Sequence, residues 1–273
     1  MQGKLYIVGT PIGNLGDISP RAIETLRSVD FIAAEDTRVT VKLLNHFEIK
    51  KPLISYFEHN KAVKGDMILS RILEGENCAL VTDAGMPAIS DPGEELVKAA
   101  HQKGVKVEAV PGPSAVITAL AVSGMPSGRF CFEGFLSVNK QSRRTHLEEI
   151  KQEKRTMIFY EAPHKLLATL TDMSAVLGDR PISVVKELTK LHETVLNTTL
   201  YDAVKYFTEN APKGEYVLII GGCKDEEQKE YTIEQAVEIA KKLMANGMST
   251  AAAAKEAATV SGIKKGEIYK QLV

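Results

Sequence analysis

Four short stretches of this chain carry residues that can do chemistry, and each follows an apolar run. Glu35-Asp-Thr-Arg38 sets two carboxylates and a guanidinium side by side. One carboxylate suits a general base and the guanidinium suits a phosphate, although acidic residues also favour a plain helix start. Val81-Thr-Asp-Ala-Gly-Met-Pro-Ala-Ile-Ser-Asp-Pro-Gly93 is a long, stiff loop with two glycines and two prolines. Asp83 can accept hydrogen bonds from an amine or a ribose hydroxyl, and Gly85 lets a ligand approach the backbone closely. Thr10-Pro-Ile-Gly-Asn14 is a glycine turn, and Pro113-Ser114 opens a helix whose free N–H groups can meet an anionic or electron-rich group. Each stretch also has a plain reading as a turn, cap or connector.

A second set of polar residues lies further along. Glu161, His164 and Lys165 follow an apolar run, and Glu187, Lys190, His192 and Glu193 form another group. Histidines in such positions are more often surface or capping residues than catalysts. Lys140, Arg143 and Arg144 make a basic run that reads as a solvated helix face or a phosphate grip.

Several chemistries are disfavoured. The first turn lacks the G-x-G-x-x-G spacing of a dinucleotide site, and no G-x-x-x-x-G-K-[ST] occurs. No His, Cys and Asp set has the spacing of a structural metal, so none is expected. The 3 cysteines are far apart, which fits a reducing, cytoplasmic setting. No apolar run approaches the ~20 residues of a membrane helix, and the N-terminus has no signal pattern. A net charge of −1 means that any polyanion must be met by a local basic patch.

The elements that must position these residues alternate between strand and helix. Strands are expected at Lys4–Gly9, Phe31–Ala34, Leu53–Tyr56, Ala79–Val81 and Val105–Val110, with amphipathic helices between them. Asp91 is expected to cap the helix that begins at Pro92. This alternation predicts a mostly parallel sheet covered on both faces, with ligands at the carboxyl ends of the strands. Breakers at Ser123–Gly128 predict a domain boundary. Beyond it, strands near 130–133, 156–160, 182–185, 193–196 and 216–220 predict a mixed sheet. Residues 224–230 read as a charged linker. From Thr232 the chain reads as three short helices like a helix-turn-helix unit, serving either RNA contact or packing. The expected domains are therefore 1–122, 123–224 and 231–273.

Taken together, Gly9-Thr-Pro-Ile-Gly-Asn-Leu15, Ala34-Glu-Asp-Thr-Arg38, Thr82-Asp-Ala-Gly-Met-Pro87 with Ile89-Ser-Asp-Pro-Gly93, and Val110-Pro-Gly-Pro-Ser-Ala115 resemble the tetrapyrrole methylase superfamily. They look most like its bacterial branch that methylates the 2′-hydroxyl of a cytidine ribose in small-subunit ribosomal RNA. Phe159-Tyr-Glu-Ala-Pro-His-Lys165, Glu187-Leu-Thr-Lys190 and Lys213-Gly-Glu215 extend the match over roughly the first 222 positions. Met86 stands where threonine is expected and Lys165 where arginine is expected; the latter keeps charge but loses a bidentate fork.

The resemblance implies an α/β fold: two α/β domains with S-adenosylmethionine in the cleft between them, plus the small C-terminal helical unit. It also implies a homodimer. Pro11 and Ile12 would line the cofactor from the first loop, Asp83, Gly85 and Ile89 from the long loop, and Ser114 and Ala115 from the helix start. Tyr160, Leu188 and Gly214 would be the second domain's share. Glu35 or Asp36 is the expected base, and Arg38 the expected phosphate or hydroxyl anchor. Two other functions compete: methylation of a corrinoid or porphyrin, and a non-catalytic RNA-binding factor that kept the fold.

Overall fold

The structure, a computed structural model, describes residues 2–223 and 231–273. The chain divides into two compact units, Met1–Cys223 and Lys224–Val273. The expected charged linker at 224–230 lies outside the described residues.

The first unit begins with β1 (Lys4–Val8), β2 (Phe31–Ala34), β3 (Leu53–Ser55), β4 (Cys78–Val81) and β5 (Lys106–Val110). They form one sheet in the order β3-β2-β4-β1-β5, and every pairing in it is parallel. The helices between them are α1 (Pro20–Ser28), α2 (Thr37–His46), α3 (Lys61–Leu73) and α4 (Glu94–Gln102). The apolar pattern explains why the sheet is covered twice. Ile32, Ala34, Ala79 and Val81 pack on one face with Ala22 and Leu26 of α1 and Leu44 of α2. Phe31, Ala33, Cys78 and Leu80 alternate onto the other, against Ile68 and Ile72 of α3 and Leu96 of α4.

This arrangement has one consequence for ligand binding. β1 and β4 are neighbours, yet the chain leaves β1 towards α1 on one face and leaves β4 towards α4 on the other. A crevice opens where two such connections part, at the carboxyl ends of the strands. α4 begins later than its sequence predicts: Gly93, with φ +149°, sits at the N-cap, and Asp91 and Pro92 stay in the loop.

The next helix, α5 (Ala115–Ser123), packs on a second sheet. That sheet contains β6 (Phe130–Phe135), β7 (Thr156–Glu161), β8 (Pro181–Lys186), β9 (Thr194–Thr199) and β10 (Tyr216–Ile220). Its order is β6-β7-β10-β8-β9, with β6 and β7 parallel and the other pairs antiparallel. Val116, Ala119 and Leu120 of α5 cover one face through Ile158, Val185, Val217 and Ile219. Helices α6 (Lys140–Glu149), α7 (Pro163–Leu177) and α8 (Leu200–Glu209) cover the other. A boundary at residue 123 therefore cuts α5 from the sheet it packs on. The chain changes sheets earlier, at Pro111–Ser114, because the apolar positions of α5 match the second sheet.

Within the basic run on α6, Lys140 and Arg144 are exposed, but Arg143 is not. Arg143 is buried and donates through Nε and Nη2 to Asp172 Oδ2 on α7, at 2.9 and 2.6 Å. Its Nη1 donates to the carbonyls of Ser137 and Val138, both at 3.1 Å. Arg144 adds a 2.8 Å contact from Nε to Asp172 Oδ1. Burial pushes the Asp172 carboxyl up, but the two guanidiniums outweigh it and hold it below its ordinary value.

The second unit holds α9 (Ile233–Ala245), α10 (Thr250–Ser261) and α11 (Lys265–Lys270). Thr232 and Gln235 form a capping box at α9, and Gly262 closes α10 in the left-handed conformation, with φ +72°. Ala236, Ala240, Ala253, Ala254 and Ala257 form most of its core, so the helices pack closely.

Removing one partner of a buried ion pair leaves the other uncompensated, at a cost of about 3–5 kcal/mol. Asp172→Asn should lower the urea midpoint accordingly, and an unchanged midpoint would show that the α6–α7 clasp contributes nothing.

Candidate active site

Three loops at the carboxyl edge of the first sheet are fastened to one another by backbone. Thr10 N donates to Gly85 O at 2.9 Å and Gly85 N returns a bond to Thr10 O at 3.1 Å, joining the loops after β1 and β4. The Thr10 hydroxyl, buried, adds a 3.2 Å bond to Thr82 O. The loops after β1 and β5 meet at glycines. A Cβ on Gly9 would lie 2.6 Å from Gly112 Cα, and one on Gly112 would lie 2.8 Å from Gly9 Cα. Neither position has room for a side chain.

The loop after β4 is strained where it faces the crevice. Ala88 and Ser90 both adopt φ +66°, and Ile89 between them lines the cavity. The turn after β8 repeats the device: Glu187 and Thr189, at φ +51° and +65°, flank Leu188. Left-handed residues without glycine's freedom cost of order 1–3 kcal/mol each and cluster at functional sites. Here each pair aims one aliphatic side chain into the same space.

That space is a cavity of about 440 Å³ between the two sheets, a size suited to a small molecule. Of the residues expected to line the cofactor, Ile12, Gly85, Ile89, Ser114, Ala115, Tyr160 and Leu188 line it. Pro11, Asp83 and Gly214 are not on its wall. Gly214, at φ +85°, instead packs on Glu187, whose side chain a Cβ there would approach to 2.6 Å.

Other wall residues carry no motif signal. Val185, Tyr216 and Val217 read in the sequence as ordinary strand, and Phe135 as a strand end beyond the expected one. Phe135 lies 5.3 Å from the Tyr160 ring, centre to centre. Met86, where threonine was expected, gives the wall a thioether in place of a hydroxyl.

The charged stretch after β2 lies behind this wall, not on it. Glu35 Oε2 accepts the Thr82 hydroxyl at 2.5 Å, and Asp83 Oδ1 accepts Asp36 N at 3.1 Å. Asp36 caps α2 by accepting Arg38 N at 2.8 Å and pairs with the Arg38 guanidinium at 2.6 Å. The Arg38 hydrogen bonds hold the Asp36 carboxyl down at about 2, which makes it a weak proton acceptor. Arg38 itself is largely exposed.

Asp91 behaves differently and does line the cavity. Burial pushes its carboxyl up to about 6, helped by the nearby charges of Glu35 and Asp83, while the Thr82 hydroxyl pulls it partway back. Burial and the Asp91 charge raise the Tyr160 phenol to about 12.

The second polar set is structural. Glu161, 3% exposed, accepts Ala162 N at 2.8 Å and the Thr169 hydroxyl at 2.5 Å. Lys190 bridges Glu187 and Glu215 at 2.9 and 2.8 Å, and Glu193 accepts Thr189 N at 2.6 Å. These contacts fix the turn that carries Leu188. His164 and His192 are exposed. No group of three or more possible metal ligands occurs among the described residues. The result is a mainly apolar cavity with carboxylates on its wall, a setting for a partly apolar cation.

Comparison with known proteins gives this geometry a family. Residues 4–204 match the family model of tetrapyrrole (corrin/porphyrin) methylases. A Synechocystis protein named ribosomal RNA small subunit methyltransferase I is 48% identical over 269 residues, covering 98% of this chain and 96% of that protein. Its Bacillus subtilis namesake is 44% identical over 271 residues, with 98% and 94% covered. The Thermotoga maritima namesake is 48% identical over 220 residues, which are 81% of this chain but 99% of that protein. Among solved structures, a cobalt precorrin-4 methyltransferase aligns with a TM-score of 0.59 at 21% identity, covering 80% of this chain and 94% of its own. A diphthine synthase aligns at 0.61 and 16% identity, with 81% and 90% covered. At such low identity the structural likeness speaks for the fold, and the sequence matches speak for more: this chain belongs to the tetrapyrrole methylase family.

Proposed function

We propose that this protein transfers a methyl group from S-adenosylmethionine to the 2′-hydroxyl of a cytidine ribose in small-subunit ribosomal RNA. The observation that carries the reading is 48% identity over nearly the whole length of a relative named ribosomal RNA small subunit methyltransferase I. Corrinoid and porphyrin methylases share the fold at 16–21% identity among the similar structures, so they weigh less. A non-catalytic factor has no use for a strained, glycine-locked cavity of about 440 Å³.

The cavity fits the donor. Its sulfonium is a soft cation on an apolar frame, and the wall offers Ile12, Met86, Ile89, Leu188 and Val217 together with the carboxylates of Asp91 and Glu215. Ser114 opens α5 without capping it by its side chain, so the helix start and the hydroxyl both remain for a polar group of the ligand. When bound, the donor supplies a methyl that is already electrophilic. The protein's task is then placement and exclusion of water. The aliphatic side chains aimed by the two left-handed pairs do this.

Glu35 and Asp36 fit positioning better than proton transfer, because Thr82, Asp83 and α2 already engage them. Arg38 stands exposed beside that cluster, where an rRNA phosphate can meet it. The same reading includes a homodimer, a ribosomal particle as acceptor and a cytoplasmic location. Among the described residues no helix is long and apolar enough to cross a membrane.

Small ribosomal subunits that have not been modified at this site should gain one 2′-O-methylcytidine when incubated with the protein and S-adenosylmethionine, read by mass spectrometry of nuclease fragments. Methyl transfer to a porphyrinoid and none to rRNA would overturn the assignment. Ala115→Trp, which sets an indole in the cavity, should weaken S-adenosylmethionine binding by about 100-fold in calorimetry, or about 2.7 kcal/mol. Undiminished affinity would place the donor elsewhere.

A further inference from the structure

We propose that Asp91 is the general base of this enzyme, the carboxylate that takes the proton from the acceptor hydroxyl, presented on the cavity wall by the left-handed turn at Ser90. This deepens the methyl-transfer reading above and rests on it.

Three carboxyl groups line the cavity: Asp91, Glu161 and Glu215. Glu161 has both oxygens engaged, by Ala162 N and by the Thr169 hydroxyl, and is buried. Glu215 is mostly in solvent and paired with Lys190. Asp91 has no cationic partner and no backbone donor among the described residues. The polar groups that face it are the Thr82 hydroxyl and Asp83 at the end of β4, Glu35 at the end of β2, and Tyr160 across the cavity on β7. None of them carries positive charge, and only the Thr82 hydroxyl draws its basicity down. Tyr160 stays protonated through the neutral range.

A ribose hydroxyl is a weak acid, and a base works best when its own pKa lies near the working pH. Asp91, raised to about 6, is roughly 100-fold more basic than an ordinary aspartate and still ionised at neutrality. Asp36, held down at about 2, is a poorer base than either. The backbone adds a second reason. Asp91 follows Ser90 in its left-handed conformation, so the strain that aims Ile89 also fixes the turn presenting Asp91. In the step, the hydroxyl O–H bond breaks and its proton passes to an Asp91 carboxylate oxygen. The hydroxyl oxygen bonds to the methyl carbon, and the electron pair of the methyl–sulfur bond stays on sulfur. The carboxylic acid then returns its proton to water.

The test compares wild type with Asp91→Asn and Asp91→Glu in single-turnover transfer to small ribosomal subunits at saturating donor, beside calorimetric donor binding. Asp91→Asn should lose about 10²–10⁴-fold in transfer at saturating donor, well beyond any loss in S-adenosylmethionine affinity. Asp91→Glu should recover part of the rate. The wild-type rate should rise with pH as Asp91 ionises and then level, and Asp91→Asn should lack that rise. A readout independent of turnover comes from urea unfolding. Because the folded carboxyl titrates above its unfolded value, the wild type loses stability as pH rises towards about 6. Asp91→Asn should therefore gain on wild type between about pH 4 and about pH 7, and this also shows that the variant folds. Full transfer by Asp91→Asn overturns the proposal, as does donor affinity falling in step with rate, which would make Asp91 a binding residue. A wild type that methylates no subunit sinks the functional reading and this one together. An active wild type with an active Asp91→Asn sinks only the base.

Discussion

The site depends on the contact of backbone with backbone at the carboxyl edge of the first sheet. Parallel strands bring their loops to one side but do not hold them there. The reciprocal Thr10–Gly85 bonds and the Gly9–Gly112 approach supply that hold without any side chain. The second half is tied in as closely. A Cβ on Gly13 would fall 2.8 Å from Thr189 Oγ1 and 3.0 Å from Leu188 O. The first loop thus rests on the turn that delivers Leu188. A cavity assembled from two sheets becomes one rigid wall because its joints are glycines, which leave nothing to relax.

Rigidity of this kind must be sustained against strain. Ala88, Ser90, Glu187 and Thr189 are all held at positive φ, in pairs around the side chains that enter the cavity. The surrounding contacts explain why they persist: Lys190 clamps Glu187 and Glu215, and Glu193 holds Thr189 N. Behind the other loop, Glu35 grips Thr82 while Asp83 receives Asp36 N. The acidic stretch after β2 thereby acts as scaffold for the β4 loop. A motif with the look of catalytic acids lies one layer back from the cavity wall.

Much of this was legible from residue order. The alternation of apolar runs predicts the parallel sheet, and its odd loops do converge, because a parallel sheet has only one carboxyl edge. The motif-bearing wall residues, such as Ile12, Gly85, Ser114 and Tyr160, stand out for the same reason. Val185 and Val217 do not, since a strand residue facing a ligand looks like one facing a core. Arg143 misleads in the opposite sense: its partner Asp172 lies 29 positions away, and only the packing of α6 on α7 shows that the charge is buried. Asp91 is hidden by its own context. An aspartate before proline and glycine reads as a helix cap, and only the late start of α4, with Gly93 at its N-cap, leaves it free to face the cavity.

The division of the chain bears on what each part is for. Every residue of the cavity wall falls between Ile12 and Val217, inside the first unit. The Thermotoga maritima relative is matched over 99% of its length by 220 residues of this chain. The cavity itself needs only residues of the first unit. The second unit has a core made mainly of alanine, too small to stabilise much beyond itself. Over its full span, 224–273, it carries eight lysines against seven glutamates and one aspartate, so its net charge is zero. Attraction to a polyanion weakens with each opposing charge, so a neutral unit offers a polyanion no net pull.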